Sequence, residues 1–316
     1  MIFMEMVSIG NQTITEFVLL GFYVRAELHL LLFIVFTVIY VSIILGNLLI
    51  IVAVVSSQRL HTPMYFFLAN LSFLEILYTS SVVPKMLEGF LQEAAISVAG
   101  CLLQFFIFGY LATAECFLLA VMAYDRYLAI CRPLRYPVLM SHRLCWLLAG
   151  AAWVLCLFMS VTETVIAMRL PFCGHRVVSH FTCEILAVLK LACGDTSISE
   201  VFLLVGAILL LPVPLAFICL SYTLILATTL RVPSAAGRRK AFSTCSAHLA
   251  VVMLFYGTVI FMYMKPKSKE ARISDEVFTV LYAVVTPMLN PVIYSLRNPD
   301  VQGALRRVFT GRQPPT

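Results

Sequence analysis

Seven long stretches, free of Asp, Glu, Lys and Arg apart from two lone carboxylates, govern what this chain can fold into. They run Leu30 to Val55, Pro63 to Pro84 with Glu75 inside, Ser97 to Tyr124 with Glu115 inside, Leu144 to Thr162, Val201 to Leu230, Ala241 to Met264 and Val277 to Leu296. A helix crosses the hydrocarbon of a bilayer in about 20 residues and a tilted strand in about 10. The stretches suit helices, and none keeps up the in-out alternation of a barrel strand. Within hydrocarbon each segment must satisfy its own backbone polar groups, which a helix does. The prediction is an all-α membrane protein, a seven-transmembrane helix bundle. Composition excludes the other classes. With 61% hydrophobic and 12% charged residues, the chain carries about half the charge of a soluble domain and is far too apolar for disorder.

The flanking charges give the orientation. Residues 1–28 hold Glu5, Glu16, Arg25 and Glu27 in place of a basic start before an apolar core, so the first helix is expected to act as a signal anchor. The odd connections and the tail hold Arg59, Arg126, Arg132, Arg135, Arg143, Arg231, Arg238, Arg239, Lys240, Arg297, Arg306, Arg307 and Arg312, against the acids Asp125 and Asp300. That face is near +11, and the face formed by the N-terminal segment and even connections is near −2. Positive residues stay cytoplasmic. The expected organisation is therefore an extracellular segment over 1–28, a bundle over 29–297 and a cytoplasmic tail over 298–316. The net charge of +6 reflects this asymmetry and does not call for nucleic acid.

Four of the ten cysteines fall outside: Cys101 opening the third helix, and Cys173, Cys183 and Cys193 in the long outer connection. They suit two disulfides in an oxidising space, with three pairings open. Zinc is disfavoured because closely spaced ligand pairs are absent. Cys116, Cys131, Cys145, Cys156, Cys219 and Cys245 read as packing residues. Asn11-Gln12-Thr13 is an outer glycosylation sequon.

The inner helix ends carry sharper signals. Met122 to Tyr127 ends helix three with Asp125 beside Arg126, a pair that can hold the arginine until something displaces it. Pro291 removes a hydrogen bond from helix seven near Asn290 and is expected to kink it. Further motifs are Gly46-Asn47, Leu60 to Leu68 (LHTPMYFFL), Met122 to Cys131, Ser221-Tyr222, Lys240 to Leu249 (KAFSTCSAHL) and Pro287 to Tyr294 (PMLNPVIY). In this order and at these places they resemble the olfactory receptors among the rhodopsin-like G-protein-coupled receptors, along nearly the whole chain. Two departures are visible: Glu75 stands where the family usually has Asp, and the helix-six histidine signature reads Ser-Ala-His.

That resemblance implies a receptor in the plasma membrane, in the cilia of olfactory neurons, with its N-terminus outside. It would bind a small volatile odorant among helices three, five, six and seven and activate a stimulatory heterotrimeric G protein, raising cyclic AMP. It also implies disulfides Cys101–Cys183 and Cys173–Cys193, and a switch formed by Asp125, Arg126, Tyr127, Tyr222, His248, Asn290, Pro291 and Tyr294. Glu75 and Glu115 would face one another in the core. Two close carboxylates cannot both stay ionised without a cation, so one holds a proton or sodium bridges them, and sodium is favoured. No other cofactor is expected.

Helical spacing in the outer half of those helices picks out the candidate ligand-binding residues. They are Phe105, Phe108, Gly109, Ala112 and Thr113; Phe202, Gly206, Ala207 and Leu210; Tyr256, Val259, Ile260 and Tyr263; and Thr279, Val280 and Ala283. The lining is apolar and aromatic with hydroxyl handles, which fits a mostly neutral ligand. Phe108 stands where amine receptors carry an acid, and Glu163, Glu184 and Glu200 read as solvent-screened at helix ends or in the loop.

A non-olfactory chemosensory receptor of the same fold is the alternative. A transporter would show related halves with broken helices, a channel a polar filter, and an enzyme a convergent acid-base or metal set. Ser246 and His248, two apart on a helix, face away from each other. Past the bundle, Asn298-Pro299-Asp300 reads as a helix start. Val301, Leu305, Val308 and Phe309 would then share one face, with Arg306, Arg307 and Arg312 reaching anionic lipid.

Overall fold

A computed structural model describes residues 15–22, 25–172, 176–184, 188–189, 191–231, 234–264, 271–296 and 299–310. Helix one spans Ala26–Ser56, helix two Pro63–Leu91, helix three Val98–Cys131 and helix four His142–Met168. Helix five comes in two pieces, Ser197–Leu210 and Pro212–Leu230, and helix six spans Ala235–Met264. Helix seven runs Ala271–Val280, a π-helical turn Leu281–Val285, then Thr286–Leu296. A tail helix, Pro299–Thr310, completes the described chain.

The chain is a multi-pass membrane protein. Helix one has 31 residues, about 46 Å at 1.5 Å per residue, enough to span hydrocarbon and reach past it. It buries only the stripe Ile43, Asn47, Ile50, Ala53 and Val54. Leu30, Leu31, Ile34, Val38, Leu45 and Val55 are exposed, an arrangement that only a lipid solvent makes cheap. The second piece of helix five likewise buries Pro214, Ile218, Ser221, Tyr222, Ile225 and Thr229 and turns Phe217, Leu220 and Leu224 outward. Helix six has its apolar run at Cys245–Phe261, and the other six spans are long and apolar enough to cross by themselves.

Local chemistry fixes the helix ends. The Ser97 hydroxyl accepts the Gly100 N–H at 3.0 Å and starts helix three, Ser141 does the same for Leu144, and Pro63 opens helix two, where a missing N–H costs nothing. Helix two continues through Pro84 to Leu91, beyond the expected end, because neighbouring helices re-satisfy a freed backbone group in a membrane bundle. Helix five, expected as one run, breaks at Leu211, where Pro212 and Pro214 remove two donors. In helix seven, Pro287 cannot donate to the turn before it. The Thr286 N–H and hydroxyl both reach back five residues to the Leu281 carbonyl, the hydroxyl at 3.1 Å, and this is the π turn. Pro291 sits inside the last segment.

Helix three is the central post, packing against helices two, four and five. The Trp153 indole donates to Asn70 at 3.2 Å and ties helix four to helix two. Gly46 lets helix one close on helix seven, since a Cβ there would lie 3.1 Å from the Pro291 ring. At one end of the bundle lies a small sheet that periodicity does not anticipate. Strand β1 (Glu16–Leu19) pairs antiparallel with β2 (Ala94–Ser97) and parallel with β3 (Val177–Val178). Phe17, Leu19 and Val178 pack beneath it with Cys101 and Cys183, which form a disulfide.

Candidate functional site

Beneath this sheet, the start of helix three faces helices four and five across a cavity of about 130 Å³. An apolar cavity of about 150 Å³ in a protein core admits benzene, so the space is of the size a small volatile molecule needs. Phe105, Phe108, Gly109, Ala112, Thr113 and Cys116 line it from helix three, and Met159, Ser160 and Glu163 from helix four. Phe202, Leu203, Gly206, Ala207, Leu210 and Leu211 come from helix five, Phe255 and Val259 from helix six, Tyr282 from helix seven and Glu184 from the connection after β3.

Spacing therefore brings together every residue expected from helices three and five, and Val259 from helix six. It does not bring the rest. Tyr256 is buried, and its hydroxyl donates to the Cys116 carbonyl at 3.3 Å, beside the cavity instead of within it. Ile260 and Val280 pack against the core, and Ala283 is buried in it. Thr279 is buried and meets His180 Nε2 at 3.3 Å. The Tyr263 side chain lies outside the described residues. From helix seven it is Tyr282, within the π turn, that faces the cavity.

The acids are placed differently from expectation too. Glu163 and Glu184, read as solvent-screened at a helix end and in the loop, are half-buried and both line the cavity. Helix four continues past Thr162 to Met168, carrying Glu163 inside the bundle. Glu163 Oε2 lies 3.7 Å from the point where a Gly109 Cβ would be. A carboxylate within an apolar span is the signal available in the sequence of helix four.

One layer deeper, Glu75 and Glu115 are both buried. Asn290 Nδ2 donates to Glu75 Oε1, and the charge of Glu115 acts on Glu75. Buried oxygens without a hydrogen-bond partner converge on this layer: Glu75 Oε2, Glu115 Oε1, Asn47 Oδ1 and Asn290 Oδ1. An oxygen-only donor set of this kind fits a hard cation. Among the described residues no group of three or more His, Cys, Asp and Glu forms a metal cluster, so the two amides would have to complete the set.

At the far end of helix three, Asp125 and Arg126 are buried, and no ion pair joins them among the described residues. Asp125 instead accepts the Tyr136 hydroxyl at 2.7 Å, from the short turn Tyr136–Leu139. Burial, reinforced by the facing carboxylate, holds that phenol above the ordinary tyrosine range, so it stays a donor. Tyr127 stacks on Tyr124 with 6.4 Å between ring centroids. Tyr222 of helix five meets His248 Nδ1 of helix six at 2.6 Å, both buried. The Tyr294 and Phe309 side chains, Asn298, Cys173 and the Asn11 sequon lie outside the described residues. In the tail helix Val301 and Ala304 are buried and Leu305 packs against the core, while Val308 is exposed.

Comparison with known proteins agrees with this architecture. Residues 36–312 match the family described as olfactory receptor. Human olfactory receptor 13J1 is 65% identical over 96% of this chain and 98% of its own length. Human olfactory receptor 11A1 is 57% identical over 99% of each, and mouse olfactory receptor 1E16 is 47% identical over 96% and 97%. The chain belongs to the olfactory receptor family, whose members are G-protein-coupled receptors and not enzymes.

Proposed function

We propose that the chain detects a small volatile odorant in the helix-three cavity and passes the signal to a stimulatory heterotrimeric G protein, raising cyclic AMP. The observation that carries this reading is the aromatic cavity beneath a disulfide-tied cap in a bundle of this family. In this reading the cap lies outside and the Asp125–Arg126 end in the cytoplasm, which the charge asymmetry supports, and membership of the family supports the ciliary membrane of olfactory neurons. Phe105, Phe108, Phe202 and Phe255 exclude water and hold the hydrocarbon part of a ligand. Arg126 is the group we assign to the G protein, supported by Tyr222, His248, Asn290 and Tyr294.

We further propose that Glu75 and Glu115, with the amide oxygens of Asn47 and Asn290, hold a sodium ion. When bound, sodium would neutralise the paired carboxylates.

The test is an odorant panel on cells expressing the full chain, with cyclic AMP and ion flux read together. Agonist-evoked cyclic AMP without flux is expected. Arg126→Ala should abolish it at unchanged surface level, and full signalling by that variant would refute the assignment. Replacing sodium with a large organic cation should change agonist potency in the parent and not in Glu75→Gln.

A further inference from the structure

Glu163 is the feature of the cavity that the aromatic lining does not explain. It projects from helix four across Gly109, with Oε2 3.7 Å from that residue's Cβ position. Among the described residues neither Glu163 nor Glu184 takes part in an ion pair or a side-chain hydrogen bond. A half-buried carboxylate on the wall of an apolar cavity is a ready counter-ion for a cation that enters it. Gly109 keeps the path between that carboxylate and the open space clear.

Resting on the odorant-receptor reading, we propose that Glu163 sets the ligand class, and that the cavity takes a small volatile amine in its protonated form. An alkyl amine carries its proton at neutral pH much as a lysine side chain does. Its ammonium donates to the Glu163 carboxylate, with Glu184, which also lines the cavity, adding negative potential. Its hydrocarbon lies among Phe105, Phe108 and Phe202, whose ring faces also attract a cation. This reverses the neutral ligand expected from sequence, because the acid is supplied by helix four and not by helix three.

The experiment uses shape-matched series on the full-length receptor in cells: alkyl and aryl amines beside the alcohols, ketones and esters of the same skeleton, with surface level measured by antibody. Amines should activate, and Glu163→Gln, which keeps size and hydrogen-bonding capacity, should raise their half-maximal dose roughly tenfold to a hundredfold. Glu163→Asp, which keeps the charge, should retain most of the response. Activation by ketones or esters with amines silent, unchanged in Glu163→Gln, would overturn the proposal while leaving the receptor reading intact. Silence to every series at normal surface level would count against both.

Discussion

Gly109 offers a graded test of whether a ligand occupies the helix-three cavity. A methyl there meets only Glu163 Oε2, at 3.7 Å, an ordinary contact that requires no neighbour to move. Replacing a helical glycine also favours the helix by roughly 1 kcal/mol, so folding is not at risk. Each added carbon takes space from a cavity of about 130 Å³ and displaces a comparable piece of ligand. At about 0.8 kcal/mol per buried methylene, Gly109→Ala should raise the half-maximal dose about fourfold. Gly109→Leu, with four carbons, forfeits about 3 kcal/mol, or roughly two orders of magnitude. The assay is agonist-evoked cyclic AMP normalised to surface level, with direct stimulation of adenylyl cyclase as the ceiling. Equal potency for all three receptors would show that the ligand binds elsewhere, and a loss in the alanine variant as large as in the leucine variant would refute the volume argument.

Other contacts set three further outcomes. Tyr222→Phe removes the 2.6 Å bond to His248 and leaves a buried ring nitrogen unanswered, so thermal stability in detergent should fall by about 1 to 3 kcal/mol; an unchanged melting curve would show the contact to be idle. Non-reducing peptide mapping should find Cys101 joined to Cys183, as in the structure, and Cys173 joined to Cys193; recovery of Cys101 with Cys173 would refute both. Val301→Asp puts a charge where the side chain is fully buried under the tail helix and should abolish surface delivery, whereas Val308→Asp, at an exposed position, should weaken it far less; equal effects would deny the tail helix its docked face.

Whatever a local period or a local cap encodes is legible in the sequence. Phe105, Phe108, Gly109 and Ala112 can be read because helix three is regular from its Ser97 cap onward, so spacing alone sets the face each residue presents. The tail helix can be read because Pro299 and Asp300 are start signals that act within one turn. Strand β1 cannot, since the residues that pair with Glu16–Leu19 are Ala94–Ser97 and Val177–Val178, and nothing within the segment specifies partners so remote. Glu163 is harder to place from sequence for a different reason: charge is taken to mark where a span ends, but helix four runs on past Glu163 to Met168 and sets this carboxylate on the cavity wall. Asp125 reads as the partner of its sequence neighbour Arg126, but adjacent residues on a helix point about 100° apart, and Tyr136 arrives from the next turn to take the carboxylate.

Helix seven shows how one backbone irregularity joins the two buried sites. Tyr282 lies in the π turn, lines the cavity and sets its ring against Tyr78 at 5.2 Å, Phe255 at 5.4 Å and Phe108 at 6.0 Å. Phe108 and Phe255 line the same cavity, so the aromatic wall a ligand touches is continuous with the packing of helices two, three, six and seven. On helix three, Cys116 lines the cavity and Glu115, next to it, faces the acid layer. On helix seven, Asn290 lies eight residues beyond Tyr282, about 12 Å along the axis, and holds Glu75. π turns inside α-helices are often found at functional sites. The segment between cavity and acids is therefore the irregular part of helix seven. Pro287 deprives it of one hydrogen bond in the α form, and Gly46 against Pro291 lets the helix beyond it close on helix one in the winding seen here.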